Sequence, residues 1–330
     1  MSEKDRWKKL KDSHIQAVML ERYAYNMRKK MAIEEPQEYL SLIIDGMYQN
    51  KTCIPHFVGP RSKEMSAAEV LKTHVTGVIS HGHNFRKCYV DVLQYKHDSN
   101  LTINILVKTL WKLSQNGRLP RTLYVQADNC SRENKNKYVL AFLELLVRRE
   151  IFQQVQLSFL YVGHTHEDIH QLFSVVSKVL GKNEALDLPE LLSLLPLGEE
   201  IEGLYNYRDW LGPNIIDVAN HSRPNIFLFK RSGNGRSVDL FYRKTSRQSW
   251  NVVKDGILRS MPSGKPNLLL QDYTDFEVDK LSRNITTRLS RFLPDQKRVW
   301  WEKFLSEITI LRSDADKLES KSKRAAVCGS

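Results

Sequence analysis

Four acidic residues follow apolar stretches of the sequence at points where buried strands are expected to end. Asp45 closes LSLIID, Asp128 closes TLYVQAD, and Glu167 and Asp168 come directly after VQLSFLYVGHTH. In an open α/β sheet, ligands bind at the edge formed by the carboxyl ends of the strands. Carboxylate oxygens are the ligands that Mg²⁺ and Mn²⁺ prefer in proteins. The pattern therefore predicts one divalent-metal site, built from Asp45, Asp128, Glu167 and Asp168.

The segments around these acids alternate between strand and helix patterns. The run before Asp45 predicts a first strand, THVTGVISHG and FRKCYVDVLQY predict a hairpin, and two later strands end at Asp128 and just before the GHTHED segment. Apolar residues at helical spacing predict three helices, the first of them capped by Asn100. The order β-β-β-α-β-α-β-α predicts a mixed five-stranded sheet with helices on both faces, over residues 39–200.

Three further segments surround this predicted α/β core. Residues 1–38 are charged and predict an N-terminal helix that docks on the core or on a protein partner. Residues 201–312 predict a C-terminal annex, in which three short strands form a small β unit around Trp250 and a helical stretch follows. Residues 313–330 predict a solvated basic tail.

The composition favours a basic protein of a reducing compartment. The 330 residues carry a net charge of +12, which points to an anionic partner and to nucleic acid first, although a merely basic protein would show the same excess. The four cysteines show neither CxxC spacing nor a disulfide framework, which predicts an intracellular protein. No apolar run reaches about 18 residues, so no membrane helix is expected, and the N-terminus lacks the apolar segment of a secretory signal.

The run SRENKNK, directly after the second acidic strand end, is expected to open a helix. Its basic residues Arg132, Lys135 and Lys137 predict a surface that contacts phosphate groups, and a solvated first helical turn is the alternative interpretation. Asn129 and Asn134 are expected to hold the acidic loop in shape.

Three sequence blocks resemble a known family. IIDGMYQNKT, DNCSRENKNKYV and GHTHEDIHQLFS closely resemble an uncharacterised, transposon-associated domain family whose members read DGMDQ, LDNCxRENKN and GHTHEDVDQ, over roughly residues 40–270. The element order in turn resembles the ribonuclease H-like superfamily of integrases and DDE-type transposases. This resemblance implies a ribonuclease H-like core that acts on DNA in the nucleus and uses Mg²⁺ or Mn²⁺ at Asp45, Asp128 and Glu167 or Asp168. His164 and His166 would orient the carboxylates or polarise a phosphate oxygen.

Two positions depart from the family pattern and keep other functions open. Tyr48 and His170 stand where relatives carry aspartate. If His170 rather than an acid faces the pair Asp45–Asp128, Mg²⁺ binding weakens, and a domesticated, non-catalytic nucleic-acid-binding or scaffold protein results; the missing acids favour this outcome. His166-Glu167-x-x-His170 also matches the zinc metallopeptidase motif, although the charged Asp168 fits a buried helix poorly. Assembly into a homo-oligomer is compatible with each of these functions.

Overall fold

The computed structural model describes the backbone of residues 2–159, 168–216, 222–233, 235, 237–273 and 277–328, and the side chains among them up to residue 313. Its strands are β1 (Tyr39–Gly46), β2 (His74–His81), β3 (Phe85–Asp91), β4 (Thr122–Ala127), β5 (Gln154–Phe159), β6 (Glu199–Glu200), β7 (Ile226–Arg231), β8 (Val238–Arg243) and β9 (Asn251–Val253). Its α-helices are α1 (Glu3–Glu34), α2 (Lys63–Ala67), α3 (Ser99–Ser114), α4 (Lys137–Arg148), α5 (Asp168–Leu180), α6 (Leu188–Leu194), α7 (Tyr207–Leu211), α8 (Val278–Arg283) and α9 (Asp295–Cys328).

The strands form one mixed sheet in the order β6-β3-β2-β1-β4-β5-β7-β8-β9. β1, β4 and β5 run parallel, and β2 and β3 form an antiparallel hairpin against β1. The predicted mixed α/β class is therefore confirmed. The predicted central hairpin and the parallel strands that end at the two acids are also present. Within the described residues the sheet has nine strands rather than the five expected.

The additional strands come mainly from the predicted C-terminal annex. β7 pairs antiparallel with β5, and β8 and β9 continue from it, so these strands extend the core sheet. The edge of β5 would otherwise expose a row of unpaired backbone groups, and β7 covers it. Trp250, expected inside a separate β unit, is half-buried and lies 4.0 Å beneath the Arg243 guanidinium group.

Each face of the sheet is covered by helices. The alternation of β1 sends Leu42 into a core with α3 and α4, and Ile43 into a second core with α5, α6 and α9. Trp301 of α9 is fully buried in the second core, where its indole N–H donates to the carbonyl of Leu186 at 2.8 Å. The central strands are thus buried on both sides, which fits their nearly continuous apolar sequences.

The N-terminal helix α1 docks through its second half only. Residues 3–16 are exposed, whereas Val18, Tyr25 and Ala32 are buried. Gly82, in the turn between β2 and β3, has a φ of +82°, and a Cβ there would lie 1.9 Å from the carbonyl oxygen of Ala32. Only glycine therefore allows the hairpin to approach the end of α1 this closely.

The N-cap of α3 differs from the one expected. The side chain of Asp98, not Asn100, caps the helix by accepting from the backbone N–H of Asn100 at 2.7 Å. The Asn100 side chain instead accepts from the backbone N–H of Arg208 at 3.0 Å, so contact with α7 replaces the capping role. No helix in the described ranges is long and apolar enough to cross a lipid bilayer.

Candidate acidic site at the carboxyl edge of the sheet

Asp45 and Asp128 stand at the ends of two neighbouring parallel strands. Ile44 of β1 lies opposite Ala127 of β4, so the chain continues into Asp45 and Asp128 at the same edge of the sheet. Both acids line one cavity of about 470 Å³. The two apolar runs of the sequence therefore deliver their acids to a common place.

The cavity is bounded by three parts of the chain. One side is the segment Ile44–Asn50, which contains Tyr48, and a second is the turn after β4, with Cys130, Glu133 and Asn134. The inner wall consists of Leu101, Thr102 and Ile105 from α3 and of His74 and Thr76 from β2. The cavity is therefore lined by both polar and apolar side chains.

The Asp45 carboxyl group lies in an environment that disfavours its charge. Its side chain is 17% exposed, and Oδ1 accepts the backbone N–H of Gly46 at 2.8 Å. Burial, together with the neighbouring charge of Asp128, raises the pKa of Asp45 to about 7. Among the described residues, Asp45 makes one contact at ion-pair distance. Its partner is His170, whose Nε2 lies 3.9 Å from Asp45 Oδ2.

Asp128 is held in place by a chain of hydrogen bonds from α3. Thr102 Oγ1 donates to Asn134 Oδ1 at 2.9 Å, and Asn134 Nδ2 donates to Asp128 Oδ1. The backbone N–H of Cys130 donates to the same carboxylate oxygen at 3.4 Å. Asn134 therefore has the contacts expected of a residue that shapes the acidic loop. Asn129 does not show them, because its buried Oδ1 has no hydrogen-bond partner in the described part of the chain.

The turn after Asp128 is longer than the sequence predicted. α4 begins at Lys137 rather than at residue 131, and Asn136 caps it by accepting the backbone N–H groups of Tyr138 and Val139, each at 3.1 Å. The Asn136 amide also donates to the carbonyls of Ser131, Arg132 and Glu133, each at 3.2 Å. These bonds satisfy the backbone of the turn without a helix.

Glu133 is an acid of this site that the sequence interpretation missed. A helix from residue 131 would have placed it on a solvated first turn, but the observed turn places it in the wall of the cavity. Its side chain is 22% exposed, and Arg132 Nη2 lies 3.6 Å from Oε1. Burial raises the pKa of Glu133, and the charge of Asp128 acts in the same direction. The sequence signal that could have identified Glu133 is its position, since it is an acidic residue five positions after Asp128.

His74 is a second residue of the cavity that the sequence did not indicate. It is 8% exposed, its Nδ1 lies 3.5 Å from Thr76 Oγ1, and its ring centre lies 4.2 Å from that of His97. Burial lowers the pKa of His74 to about 3, and the charges of His97 and Arg132 add to the effect. A neutral imidazole therefore faces the acidic edge.

Asp168 does not point at the Asp45–Asp128 pair. Its Oδ2 lies 2.6 Å from Lys29 Nζ on α1 and 2.9 Å from His81 Nε2 on β2. His81 pairs in the sheet with Ser41, four positions before Asp45 on β1. The hydrogen bond from His81, with Lys29 beside it, holds the pKa of Asp168 well below its usual range. In this structure His170, not Asp168, contacts Asp45.

Three of the predicted site residues, His164, His166 and Glu167, lie outside the described residues. Of the three residues that define the zinc-peptidase motif, His166, Glu167 and His170, the structure therefore describes His170 alone. Among the residues that the structure describes, no three His, Cys, Asp or Glu side chains lie close enough together to hold a metal ion.

The predicted phosphate-contacting residues have different environments. The Arg132 side chain is 68% exposed. Lys135 is buried, because its Nζ donates to Asn225 Oδ1 at 3.0 Å and lies 5.2 Å from the Phe159 ring centre. Burial lowers the pKa of Lys135 to about 8. Lys137 is half-buried, with its Nζ 5.8 Å from the Tyr138 ring centre. Of the three, Arg132 alone has the exposure expected of a phosphate contact.

The fold and site define a mixed α/β protein with an acidic cavity at the carboxyl edge of its sheet. The chain belongs to the family described as a domain of unknown function, DUF7869, whose model matches residues 63–248. The match includes Asp128, Glu133 and His74 and begins after Asp45. No curated protein matches the chain.

Proposed function

We propose that this chain is a transposase- or integrase-like DNA-binding protein with a metal-dependent site for phosphodiester cleavage or strand transfer. The observation that carries the proposal is the placement of Asp45 and Asp128 at the ends of neighbouring parallel strands, in the wall of one cavity. Among the described residues neither carboxylate forms an ion pair with lysine or arginine, and the raised pKa of Asp45 is of the kind that clusters at functional sites.

The arrangement of the central strands supports a ribonuclease H-like core. β3, β2, β1, β4 and β5 lie in that order, with β2 antiparallel to its neighbours and helices on both faces. The same strand order is expected of the mixed five-stranded unit that the sequence resemblance implies, and further strands extend it at both edges. The transposon association rests on the three sequence blocks described above.

Each residue of the site has a chemical part in this proposal. Mg²⁺ or Mn²⁺ bound here would polarise the phosphate and activate the attacking oxygen. Asp45 and Asp128 would bind the ion, and Asn134 would keep the Asp128 carboxylate turned toward it. Arg132 would contact a backbone phosphate at the mouth of the cavity.

The charge of the chain supports DNA as the partner. A net charge of +12 attracts a polyanion, and the cavity acids alone would repel it unless a cation and nearby basic groups were present. A nuclear location, assembly into a homo-oligomer and a protein partner at the exposed half of α1 belong to the same proposal.

DNA nicking is the direct test. With Mn²⁺ the wild-type chain should convert supercoiled plasmid to the nicked form, and Asp128→Asn should abolish nicking by removing a metal ligand. Asp279→Asn, an exposed aspartate on α8, is the matched control and should nick normally. Equal nicking by wild type and Asp128→Asn would contradict the proposal.

A non-catalytic DNA-binding or scaffold protein is the second candidate. It is favoured by the contact between His170 and Asp45 and by the engagement of Asp168 with Lys29 and His81. Exposed Tyr48 in the cavity wall, where relatives carry an acid, points the same way. DNA binding without nicking, unchanged in Asp128→Asn, would identify this function.

The zinc-peptidase hypothesis stays a prediction. It requires one zinc ion per chain that is lost in His170→Ala, which metal analysis of the purified protein would measure.

A further inference from the structure

We propose that an apolar groove between α3 and α4 binds a small aromatic monoanion, whose ring packs on the aromatic side chains of the groove and whose charge pairs with Arg149 and Lys265. The groove has a volume of about 530 Å³, a size typical of sites for small ligands. It shares no lining residue with the acidic cavity, so this binding site is separate from the proposed function.

Helix α3 contributes to both cavities through different turns. Thr102, near the start of the helix, lines the acidic cavity, whereas Trp111, near its end, lines the groove. A rise of about 1.5 Å per residue separates these two positions by roughly 14 Å along the helix axis. The groove therefore lies away from the carboxyl edge of the sheet.

Four aromatic side chains line the groove. Phe142 of α4 and Tyr207 of α7 meet edge to face with their ring centres 5.7 Å apart, and Tyr207 meets Trp210 in the same way at 6.0 Å. Trp111 of α3 is 62% exposed. A continuous apolar surface that includes an exposed indole ring is typical of a binding site. Because aromatic rings favour edge-to-face and offset contacts with one another, a flat aromatic ligand fits this surface.

Two basic side chains determine the charge of the groove. Arg149 directly after α4 and Lys265 both line it, and no described Asp or Glu does. Neither side chain forms an ion pair or a hydrogen bond with the rest of the described chain. A negative group on the ligand would pair with them, and salt screens such a pair less beside an apolar surface than in open water. The groove therefore suits an aromatic body that carries one negative charge.

The loop that carries Lys265 is anchored on both sides. The indole N–H of Trp210 donates to the carbonyl of Ser263 at 2.8 Å, and the backbone N–H of Asn206 donates to the carbonyl of Asn267 at 2.7 Å. These two bonds hold the intervening residues against α7 as one wall of the groove. Because the wall is already formed, a ligand does not have to order it on binding.

Fluorescence titration of the full chain with two dyes tests the proposal. Anilinonaphthalene sulfonate and phenylnaphthylamine have the same aromatic body, and only the first carries a negative charge. Wild type should bind one sulfonate dye per chain, roughly tenfold more tightly than the neutral dye, as two partly exposed ion pairs predict. The double variant Arg149→Gln/Lys265→Gln should lose this preference and bind the neutral dye as wild type does. Trp111→Gln should weaken the binding of both dyes.

A second titration tests the ligand class without relying on the dye. Naphthoate, an aromatic carboxylate, should displace the sulfonate dye from wild type, and naphthalene methanol, which has the same rings without the charge, should displace it roughly tenfold less well. Equal displacement by the two compounds would contradict an anion site.

The controls are Arg283→Gln on α8 and Lys303→Gln on α9, which remove the same charges at exposed positions outside the groove. Both should keep the preference for the charged dye. Equal affinity of wild type for the two dyes, a preference that survives in the double variant, or unchanged binding in Trp111→Gln overturns the proposal. Sedimentation velocity examines another occupant, since a dimer that dissociates in Trp111→Gln would show that a second copy covers the groove and would also overturn it. None of these outcomes bears on the acidic cavity, whose test is DNA nicking.

Discussion

Asp45 and Asp168 are two predicted site acids whose environments are opposite. The Asp45 side chain is 17% exposed and that of Asp168 is 25% exposed. The pKa of Asp45 is raised to about 7, whereas the pKa of Asp168 is held well below its usual range. At Asp45 burial is the larger cause and the neighbouring acids add to it, whereas at Asp168 hydrogen bonds to basic neighbours outweigh the effect of burial. Asp45 faces Asp128 and Glu133, while Asp168 binds His81 and Lys29.

Glu144 shows that a buried acid alone does not mark a functional site. Its side chain is fully buried on α4, and burial raises its pKa. Arg148 lies 2.7 Å away, and the backbone N–H groups of Ile257 and Leu258 donate to it at 2.6 and 3.3 Å. These partners make Glu144 a structural link between α4 and the chain after β9. Acids that face other acids without a basic partner are the better indicator of a cation site.

Asp45→Asn should give the largest effect on stability. In the folded protein Asp45 keeps its proton up to about pH 7. In the unfolded chain, where the pKa of aspartate is 3.8, it loses the proton at lower pH. The charged carboxylate therefore destabilises the fold, and stability falls as pH rises from about 4 to 7. Asparagine stays neutral, so the free energy of unfolding should match wild type near pH 4 and exceed it at pH 8, by up to about 4 kcal/mol at about 1.4 kcal/mol per pKa unit.

Urea unfolding at pH 4, 6 and 8 with a metal chelator present measures this dependence. Asp279→Asn, exposed on α8, should show no such pH-dependent difference from wild type. If Asp45→Asn is as stable as wild type, or less stable, at pH 8, Asp45 is not the destabilised acid described here. The contrast with Asp168 would then disappear.

Asp168→Asn should act in the opposite direction. A lowered pKa means that the charged form stabilises the fold above about pH 4, and that this contribution is lost as pH falls through the folded-state pKa. At pH 7, Asp168→Asn and Lys29→Met should each lower the free energy of unfolding by about 2 kcal/mol, the scale of a charged hydrogen bond. Because the two residues share one contact, the double variant should lose less than the sum.

Thermal and urea unfolding of the three variants measure this coupling. Lys303→Met is the control, since Lys303 and Glu307 form an exposed pair at 3.8 Å that should contribute little. Additive losses in the double variant would show that Lys29 and Asp168 do not act as a pair. α1 would then not be fastened to the start of α5 through this contact.

The strand ends were predictable because burial on both faces imposes a strong sequence pattern. β1, β4 and β5 read as short apolar runs, and the acids at the ends of β1 and β4 mark the edge of the sheet. The pairing of β7 with β5 was not predictable, since β7 looks the same in a separate β unit as in an extended sheet. Only the exposed edge of β5, a three-dimensional feature, distinguishes the two arrangements.

The site was predictable where a residue follows a strand and not where it depends on a turn. Asp45 and Asp128 were located correctly because strand register places them at one edge. Glu133 was missed because the amide of Asn136 stabilises a turn where the sequence favours a helix. Asp168 was assigned to the cavity because it comes soon after the apolar run of β5, but it lies on α5 and contacts Lys29, 139 residues earlier in the chain.

Replacing Arg132 or Lys135, the basic residues after Asp128, should give the smallest of the expected effects. The comparison distinguishes an exposed basic residue that contacts DNA from a buried one that does not. Arg132→Ala should weaken binding to duplex DNA and reduce the slope of log affinity against log salt by about 0.9, the effect of one phosphate contact. Lys135→Met should leave the slope unchanged, since Lys135 is buried against Asn225 and Phe159. Fluorescence anisotropy with a labelled duplex at several salt concentrations measures both slopes. An equal loss of slope in the two variants would support the phosphate-contacting surface expected from the sequence. No loss of slope in either variant would place the DNA on a different surface from the acidic cavity.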